Sequence, residues 1–255
     1  MTQNSVSLEV ENGIALVCIN RPQARNAVDG SVTTGLAAAL DSVEARSDIA
    51  AAILTGAGEH FCAGMDLKAF LRGENVRAPG KGFAGMVQAV SDKPWIAAVE
   101  GYALAGGFEI ALWCDLIVAS ETAKFGLPEV KRGLVANAGG LLRLPRQLPQ
   151  RIAAEMVLTG DAYPAATLAA FGLINQIVPA GQALTHAKAL AARIAANGPL
   201  ALAVSKRVLR EASDWSSQEM FAAQNAITAQ VFTSEDAKEG ALAFAEKRAP
   251  KWRGI

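Results

Sequence analysis

Two glutamates in apolar, glycine-rich segments are the strongest candidates for acid–base chemistry. Glu109 closely follows Gly106-Gly107 at a predicted helix start, and Glu129 follows a proline 20 residues further on. A carboxyl group among apolar neighbours needs a partner or a raised pKa. Two such groups suit acid and base work on opposite sides of a substrate. Each also has an ordinary explanation: Glu109 matches the dipole of its helix start, and Glu129 pairs with Lys131 or Arg132 in a turn.

Backbone N–H groups provide a second kind of candidate site. A helix that opens at Gly106-Gly107 leaves its first-turn N–H groups unpaired, and such groups stabilise a developing anion. A third segment, Glu59-His-Phe-Cys-Ala-Gly-Met-Asp-Leu-Lys68, follows a predicted buried strand. Its glycine permits a close approach to the backbone. The alternative for this segment is a plain strand-to-helix loop.

Several other kinds of chemistry are disfavoured. Residues 80–85 fit the Gly-x-Gly-x-x-Gly pattern of a dinucleotide-binding site but follow no predicted strand. Residues 101–106 have the glycine spacing of a Walker phosphate-binding loop but lack the Lys-Ser/Thr that must follow it. Two histidines make a histidine-based metal site improbable, and we expect no metal. The 24 Lys+Arg balance 24 Asp+Glu, which argues against nucleic-acid binding through bulk charge.

The elements around these candidates predict an α/β fold with mostly parallel strands. A hairpin with Asn12-Gly13 at its turn precedes alternating helices and buried strands. The predicted elements are a hairpin over 6–20, a helix over 31–46, strands at 50–55, 95–99 and 116–119, and a helix over 108–113. Residues 71–85 carry turn formers and charge without periodicity, which predicts a mobile surface loop.

Helical patterns dominate the last quarter of the chain. They cover 182–196, 199–211, 215–231 and 235–246. We therefore expect a core over 1–196 and a helical region over 197–255. The apolar stretch over 95–118 contains three acidic residues, the start of the chain carries no secretory signal pattern, and the three cysteines are scattered. A cytoplasmic protein without a membrane span is expected.

Three segments together resemble the crotonase (enoyl-CoA hydratase/isomerase) superfamily in order and spacing. They are Phe61-Cys-Ala-Gly-Met-Asp-Leu67, Ala97-Ala-Val-Glu-Gly-Tyr-Ala-Leu-Ala-Gly-Gly-Phe-Glu109 and Phe125-Gly-Leu-Pro-Glu129. Arg21-Pro22 with Asn26-Ala27, Ala138-Gly-Gly140 and Glu246-Lys-Arg248 also resemble that family. The resemblance covers nearly the whole chain. It implies a spiral of ββα units with a helical C-terminal trimerisation region.

The resemblance also implies roles for the candidate residues. The backbone N–H groups of Met65 and Gly106 match an oxyanion hole for the thioester carbonyl of an acyl-CoA. Glu109 matches the glutamate that activates water for attack at C3, and Glu129 matches the one that delivers a proton to C2. Because both carboxyl groups are present, the resemblance favours an enoyl-CoA hydratase-type lyase.

Positions for coenzyme A follow from the same resemblance. Ala63, Asp66 and Lys68 match positions near the coenzyme, and Lys247 matches a lysine that a neighbouring subunit supplies. Glu59 departs from the pattern, because some hydratases carry a phosphate-binding lysine there. Coenzyme A enters as part of the substrate, so no separate cofactor is implied. A homotrimer or hexamer is implied, without nucleic acid or membrane partners.

The acyl group and the reaction subtype stay open at this point. Residues 82–85, 107–112, 141–149 and 234–240 are most similar to the carnitinyl-CoA dehydratase (crotonobetainyl-CoA hydratase) branch, which allows a carnitinyl-CoA-like substrate. The alternatives are an enoyl-CoA isomerase and a non-catalytic acyl-CoA- or RNA-binding relative. Candidate acyl-pocket residues, each of which also suits a core position, are Phe70, Phe83, Met86, Trp95 and Trp113.

Overall fold

The computed structural model describes residues 4–255, which form eleven strands and ten α-helices. The strands are β1 Val6–Glu11, β2 Ile14–Ile19, β3 Ala51–Gly56, β4 Arg77–Ala78, β5 Gly82–Phe83, β6 Trp95–Val99, β7 Tyr102–Leu104, β8 Leu116–Ser120, β9 Lys124–Gly126, β10 Tyr163–Pro164 and β11 Gln176–Val178. The α-helices are α1 Gly30–Ala45, α2 Leu67–Leu71, α3 Gly106–Trp113, α4 Gly140–Gln147, α5 Gln150–Thr159, α6 Ala165–Ala170, α7 Ala183–Ala195, α8 Pro199–Glu211, α9 Met220–Thr233 and α10 Glu235–Glu246. Short 3-10 helices cover Pro22–Ala24, Pro128–Arg132 and Ala212–Asp214.

The main sheet has six strands in the order β1-β2-β3-β6-β8-β11. The β1–β2 pair is antiparallel, and every other pair in this sheet is parallel. Asn12 and Gly13 both have positive φ, at 52° and 76°, as a tight hairpin turn requires. The predicted hairpin and the mixed α/β character are confirmed.

The inner strands β2, β3, β6 and β8 are covered on both faces because each contributes alternate side chains to two cores. In β3, Ala52 and Leu54 pack into the larger core with α1, while Ala51 and Ile53 face α7. The α7 side chains in that contact are alanines spaced four residues apart, at 183, 187 and 191. The many alanines of the chain therefore let this helix pack closely on the sheet.

A second, three-stranded sheet places the helix that carries Glu109. Its order is β10-β9-β7, and β7 leads directly into α3. Single β-bridges join Cys62 to Ala103 of β7 and Met65 to Val28. The segment that contains Gly64 is therefore held between β7 and the chain before α1.

The prediction of a mobile surface loop over 71–85 is wrong. This segment contains the antiparallel β4–β5 pair, and Val76, Phe83 and Ala84 are buried in the larger core. Two-residue strands are too short to produce a detectable alternation, so the sequence pattern could not reveal them.

The chain after residue 178 forms only helices within the described part. All four predicted helices are present, although the third begins at Met220 rather than at 215. The end of the chain is fixed to α10, because the Asp236 carboxylate accepts hydrogen bonds from Arg253 N at 2.7 Å and Gly254 N at 2.9 Å. A helix long and apolar enough to cross a membrane is absent from residues 4–255.

Candidate active site

A cavity of about 600 Å³ brings together residues from four separate parts of the chain. Its wall includes Met65, the first residue of α3, and both candidate carboxyl groups. The predicted site residues that line it are Ala63, Met65, Gly106, Glu109 and Glu129. The structure therefore places the two backbone candidates and the two glutamates around one volume.

The Met65 amide is presented by a left-handed glycine. Gly64 has φ +96°, and an added Cβ would lie 2.7 Å from Ala105 Cβ and 3.1 Å from Gly106 N. Bonds on either side of Met65 anchor it, since Val28 N donates to Gly64 O and Asp66 N donates to Val28 O, each at 2.8 Å. Within residues 4–255 the Met65 N–H has no acceptor.

The Gly106 amide opens α3 and is also unpaired within the described chain. The preceding residue, Ala105, has φ +51° and ψ −130°, a conformation that costs roughly 1–3 kcal/mol for a residue with a Cβ. Its carbonyl accepts the N–H groups of Phe108 at 2.9 Å and Glu109 at 3.1 Å, and its own N–H donates to Gly126 O. This strained turn leaves Gly106 N free beside the Met65 segment.

The Glu109 carboxyl group lies against the N-terminus of α4. Glu109 is 2% exposed, and its Oε1 accepts from Ala138 N at 2.7 Å and Gly140 N at 2.8 Å. Burial raises the pKa of Glu109, while these two N–H groups and the positive end of the helix favour the ionised form. The group is thus a buried carboxylate with one oxygen fixed by backbone donors.

The Glu129 carboxyl group has no backbone donor from another element of the described chain, and its own N–H is the only backbone donor that favours the ionised form. It extends from the 3-10 helix Pro128–Arg132, and its Oε2 is the one buried side-chain polar atom without a hydrogen-bond partner in residues 4–255. Burial, together with the negative charge of Glu109, raises the pKa of Glu129 to about 7. The alternative of an ion-paired turn residue is wrong, because Lys131 pairs with Asp161 and Arg132 donates to Pro128 O.

The two carboxyl groups therefore differ in the groups that surround them. Glu109 has backbone donors that stabilise negative charge, whereas Glu129 has an unsatisfied buried oxygen and a negative neighbour. Beside them are two free N–H groups from Met65 and Gly106. A base, an acid and an anion-binding pair in one cavity can add or remove a proton next to a carbonyl group.

The predicted coenzyme-binding residues occupy different places. Ala63 lines the cavity, and its N–H donates to Arg25 O at 3.0 Å. Asp66 caps α2 by accepting from Lys68 N at 2.9 Å, and it also pairs with Arg21 at 3.1 Å. The Lys68 side chain is exposed on α2, and Lys247 follows α10 with φ +55° without lining the cavity.

The acyl-pocket candidates divide between the cavity and the core. Phe70 and Phe83 line the cavity. Met86 and Trp95 are buried in the core instead, and the half-buried Trp113 packs edge-on against Trp95 at 5.4 Å. The proposal of Met86, Trp95 and Trp113 as lining residues is therefore wrong.

Three arginines on the cavity wall are not identified by sequence reasoning. They are Arg25, Arg77 and Arg132. Arg25 lies over the Tyr102 ring at 5.9 Å, and Arg77 donates to Asn137 Oδ1 at 2.8 Å. Each belongs to a loop or a short element whose place in space the linear pattern does not fix, so no sequence signal marks it.

The chain is similar to known proteins over nearly its whole length. The family described as Enoyl-CoA hydratase/isomerase matches residues 9–254. An enoyl-CoA hydratase of Mycobacterium tuberculosis H37Rv is 45% identical over 249 residues, which cover 93% of this chain and 92% of that protein. A carnitinyl-CoA dehydratase of Proteus mirabilis is 40% identical over 258 residues, 98% of each chain. A crystal structure of an enoyl-CoA hydratase from M. tuberculosis H37Rv has TM-score 0.98 and 54% identity, covering 99% of this chain and all of that one.

Proposed function

The chain belongs to the enoyl-CoA hydratase/isomerase family, and we propose that it reversibly hydrates an enoyl-CoA to a 3-hydroxyacyl-CoA. The observation that carries this proposal is the convergence of two dissimilar glutamates and two unpaired backbone N–H groups on one cavity. Coenzyme A enters as part of the substrate, and the reaction needs no separate cofactor.

The thioester carbonyl oxygen would accept hydrogen bonds from Met65 N and Gly106 N. Negative charge builds on this oxygen when water adds to C3, because the electrons of the C2–C3 double bond move toward the thioester. Preorganised donors stabilise that enolate, each by roughly 3–4 kcal/mol in a dry site. Neither N–H group has a competing protein acceptor within residues 4–255, so both are available to the substrate.

The two glutamates would then divide the proton transfers. Glu109, as a carboxylate, removes a proton from water while the water oxygen bonds to C3. Glu129, protonated near neutral pH, gives its proton to C2. The substrate gains one water molecule, and proton exchange with solvent restores both carboxyl groups for the next cycle.

The direct test is loss of the absorbance of the conjugated thioester when the protein is mixed with crotonyl-CoA or a longer enoyl-CoA. We expect E109Q and E129Q each to lower kcat by about 10²–10⁴-fold. Acyl-CoA affinity should stay nearly unchanged, because neither substitution removes an oxyanion donor. Wild-type rates in both variants, or no hydration of any enoyl-CoA by the wild type, would contradict the proposal.

Enoyl-CoA isomerisation is the second candidate, because one carboxyl group with a free oxygen can carry a proton between C2 and C4. The unpartnered Glu129 Oε2 is the observation in its favour. The backbone-held Glu109 in the same cavity favours hydration, since isomerisation needs no base for water. Incubation with a 3-enoyl-CoA separates the two: an isomerase forms the conjugated thioester, and loss of that activity in E129Q alone would support it. A non-catalytic acyl-CoA- or RNA-binding relative would show neither reaction.

We propose an uncharged acyl chain in preference to a trimethylammonium group. Arg25, Arg77 and Arg132 line the cavity, and none of them forms an ion pair with a carboxylate in the described chain. The carboxylate of Glu74, which also lines the cavity, is already paired with Arg72 at 2.7 Å. Even with Glu109 ionised, the three arginines give the wall a net positive charge, which disfavours another cation. A higher kcat/KM for crotonyl-CoA than for crotonobetainyl-CoA is expected, and the reverse order would support the carnitinyl-CoA-like substrate.

We also propose that the active assembly is a homotrimer or hexamer in which Lys247 reaches a neighbouring subunit's coenzyme. Several large apolar side chains of the helical region are exposed on a single chain and would be covered by such contacts, among them Leu209, Phe221, Phe232 and Phe244. Light scattering measures the assembly mass directly. A monomer with full activity would contradict the role of Lys247.

A further inference from the structure

Arg143 is a half-buried arginine in the first turn of α4, next to the Glu109 site. Its Nη2 donates to Val87 O at 2.6 Å, and its Nη1 donates to Ala138 O at 3.5 Å. No carboxylate in the described chain forms an ion pair with it, in contrast to Arg146 on the same helix, which pairs with Asp214 at 3.4 Å. A partly buried guanidinium without an ion pair is costly unless other charges nearby stabilise it.

The Gly139-Gly140 dipeptide contacts both Arg143 and Glu109. A Cβ added at Gly139, which has φ +105°, would overlap Arg143 Nη1. A Cβ added at Gly140 would lie 3.0 Å from Glu109 Oε1. The guanidinium thus packs against Gly139 and the carboxylate against Gly140. The Ala138 peptide is held at both ends, its N–H by Glu109 and its C=O by Arg143.

We propose that Arg143 is a positioning residue for Glu109: it fixes the 138–140 backbone that binds the carboxylate and supplies a facing cation that keeps it ionised. This inference rests on the proposed function, in which ionised Glu109 is the base. Arginine suits the position because its planar fork reaches two carbonyl oxygens on different segments at once. A lysine would keep the charge but lose that geometry.

The charged groups that act on Glu109 come from three other elements. Arg143 of α4 and Arg77 of β4 favour its ionised form, while Glu129 of the 3-10 helix opposes it. Arg77 is exposed, whereas Arg143 is half-buried and less screened by water. Removal of Arg143 should therefore affect the ionisation of Glu109 more strongly than removal of Arg77.

The test compares R143M and R143K with R146M, the control on the same helix. We expect R143M to lower kcat by at least tenfold with little change in KM, and to move the acid limb of the kcat/KM profile upward by about one pH unit. R143K should keep the acid limb near its wild-type position while kcat stays reduced. R146M should behave as wild type. An R143M profile that matches wild type and R146M would overturn the proposal.

A second measurement keeps the inference separate from the proposed reaction. The pKa of Glu109 is measured by ¹³C NMR of protein labelled at the glutamate carboxyl carbon, with E109Q identifying the resonance. A higher Glu109 pKa in R143M supports the inference even if no enoyl-CoA is hydrated, and an unchanged pKa overturns it. If R143M does not fold, R143Q replaces it as the variant that removes the charge, and R143K still tests the geometry. R77M should then shift the acid limb less than R143Q does. An equal or larger shift in R77M would overturn the proposal.

Discussion

Replacement of Gly64 by alanine tests whether the two free N–H groups work as one oxyanion site. The new Cβ would lie 2.7 Å from Ala105 Cβ, 2.9 Å from Leu104 O and 3.1 Å from Gly106 N, where ordinary contact begins at 3.4 Å. The Met65 and Gly106 segments must therefore separate by about 0.7 Å. Because the donors are useful only at 2.7–3.1 Å from the developing oxyanion, this separation weakens at least one of them.

The expected size of the effect follows from that displacement. A misplacement of about 1 Å in a catalytic arrangement costs on the order of 10²-fold, and loss of one oxyanion donor costs about 10²–10³-fold in kcat. We therefore expect G64A to lower kcat for crotonyl-CoA hydration by roughly 10²-fold. The φ of +96° adds strain for an alanine, which should also lower stability by roughly 1–2 kcal/mol.

A matched control separates strain from the clash. Gly172 has φ +84°, but an added Cβ meets nothing within 4 Å, and this glycine does not line the cavity. G172A should therefore show only the stability loss due to backbone strain in urea denaturation, and its kcat should stay near wild type. A G64A rate within a few-fold of G172A would refute the reasoning that these N–H groups form the oxyanion site.

Three further predictions test the burial, the protonation and the charge of the site. The pKa of Glu129 rises from 4.5 in the unfolded chain to about 7 in the fold, so the folded state binds more protons between these pH values. The stability of the wild type therefore falls as pH rises through this range. E129Q should be more thermally stable than wild type at pH 8 but not at pH 4. N26A should lower the free energy of unfolding by roughly 1–3 kcal/mol in urea titrations, because the buried Asn26 side chain donates to Ala57 O and His60 O and accepts from Arg21 N. K68M should raise KM for acyl-CoA roughly two- to fivefold with kcat unchanged, and this difference should shrink at high salt, because an exposed lysine contributes only a screened attraction to the phosphates.

Much of the fold could be predicted from local patterns. Alternation located the β1–β2 hairpin, and 3.6-residue periodicity located α1 and three of the last four helices to within two residues. These elements are long enough to show a period. The β4–β5 pair could not be predicted because each strand has two residues, and its burial depends on packing against the core.

The candidate site was only partly accessible to the same reasoning. The sequence indicated acid–base chemistry through the spacing of Glu109 and Glu129 in apolar segments. It indicated free backbone N–H groups through the glycines that precede Glu109. No sequence signal placed Arg25, Arg77 and Arg132 on the cavity wall, because a loop and two short elements far apart in the chain bring them there.

The sequence by itself determined which groups were available: two carboxyl groups, glycines that leave N–H groups open, and elements able to carry them. Only the tertiary structure decided how the two glutamates differ. Ala138 N and Gly140 N, about 30 residues from Glu109, stabilise one carboxylate, while Glu129 Oε2 is buried without a donor. A pKa depends on desolvation and on contacts between distant segments, and neither quantity exists until the chain has folded.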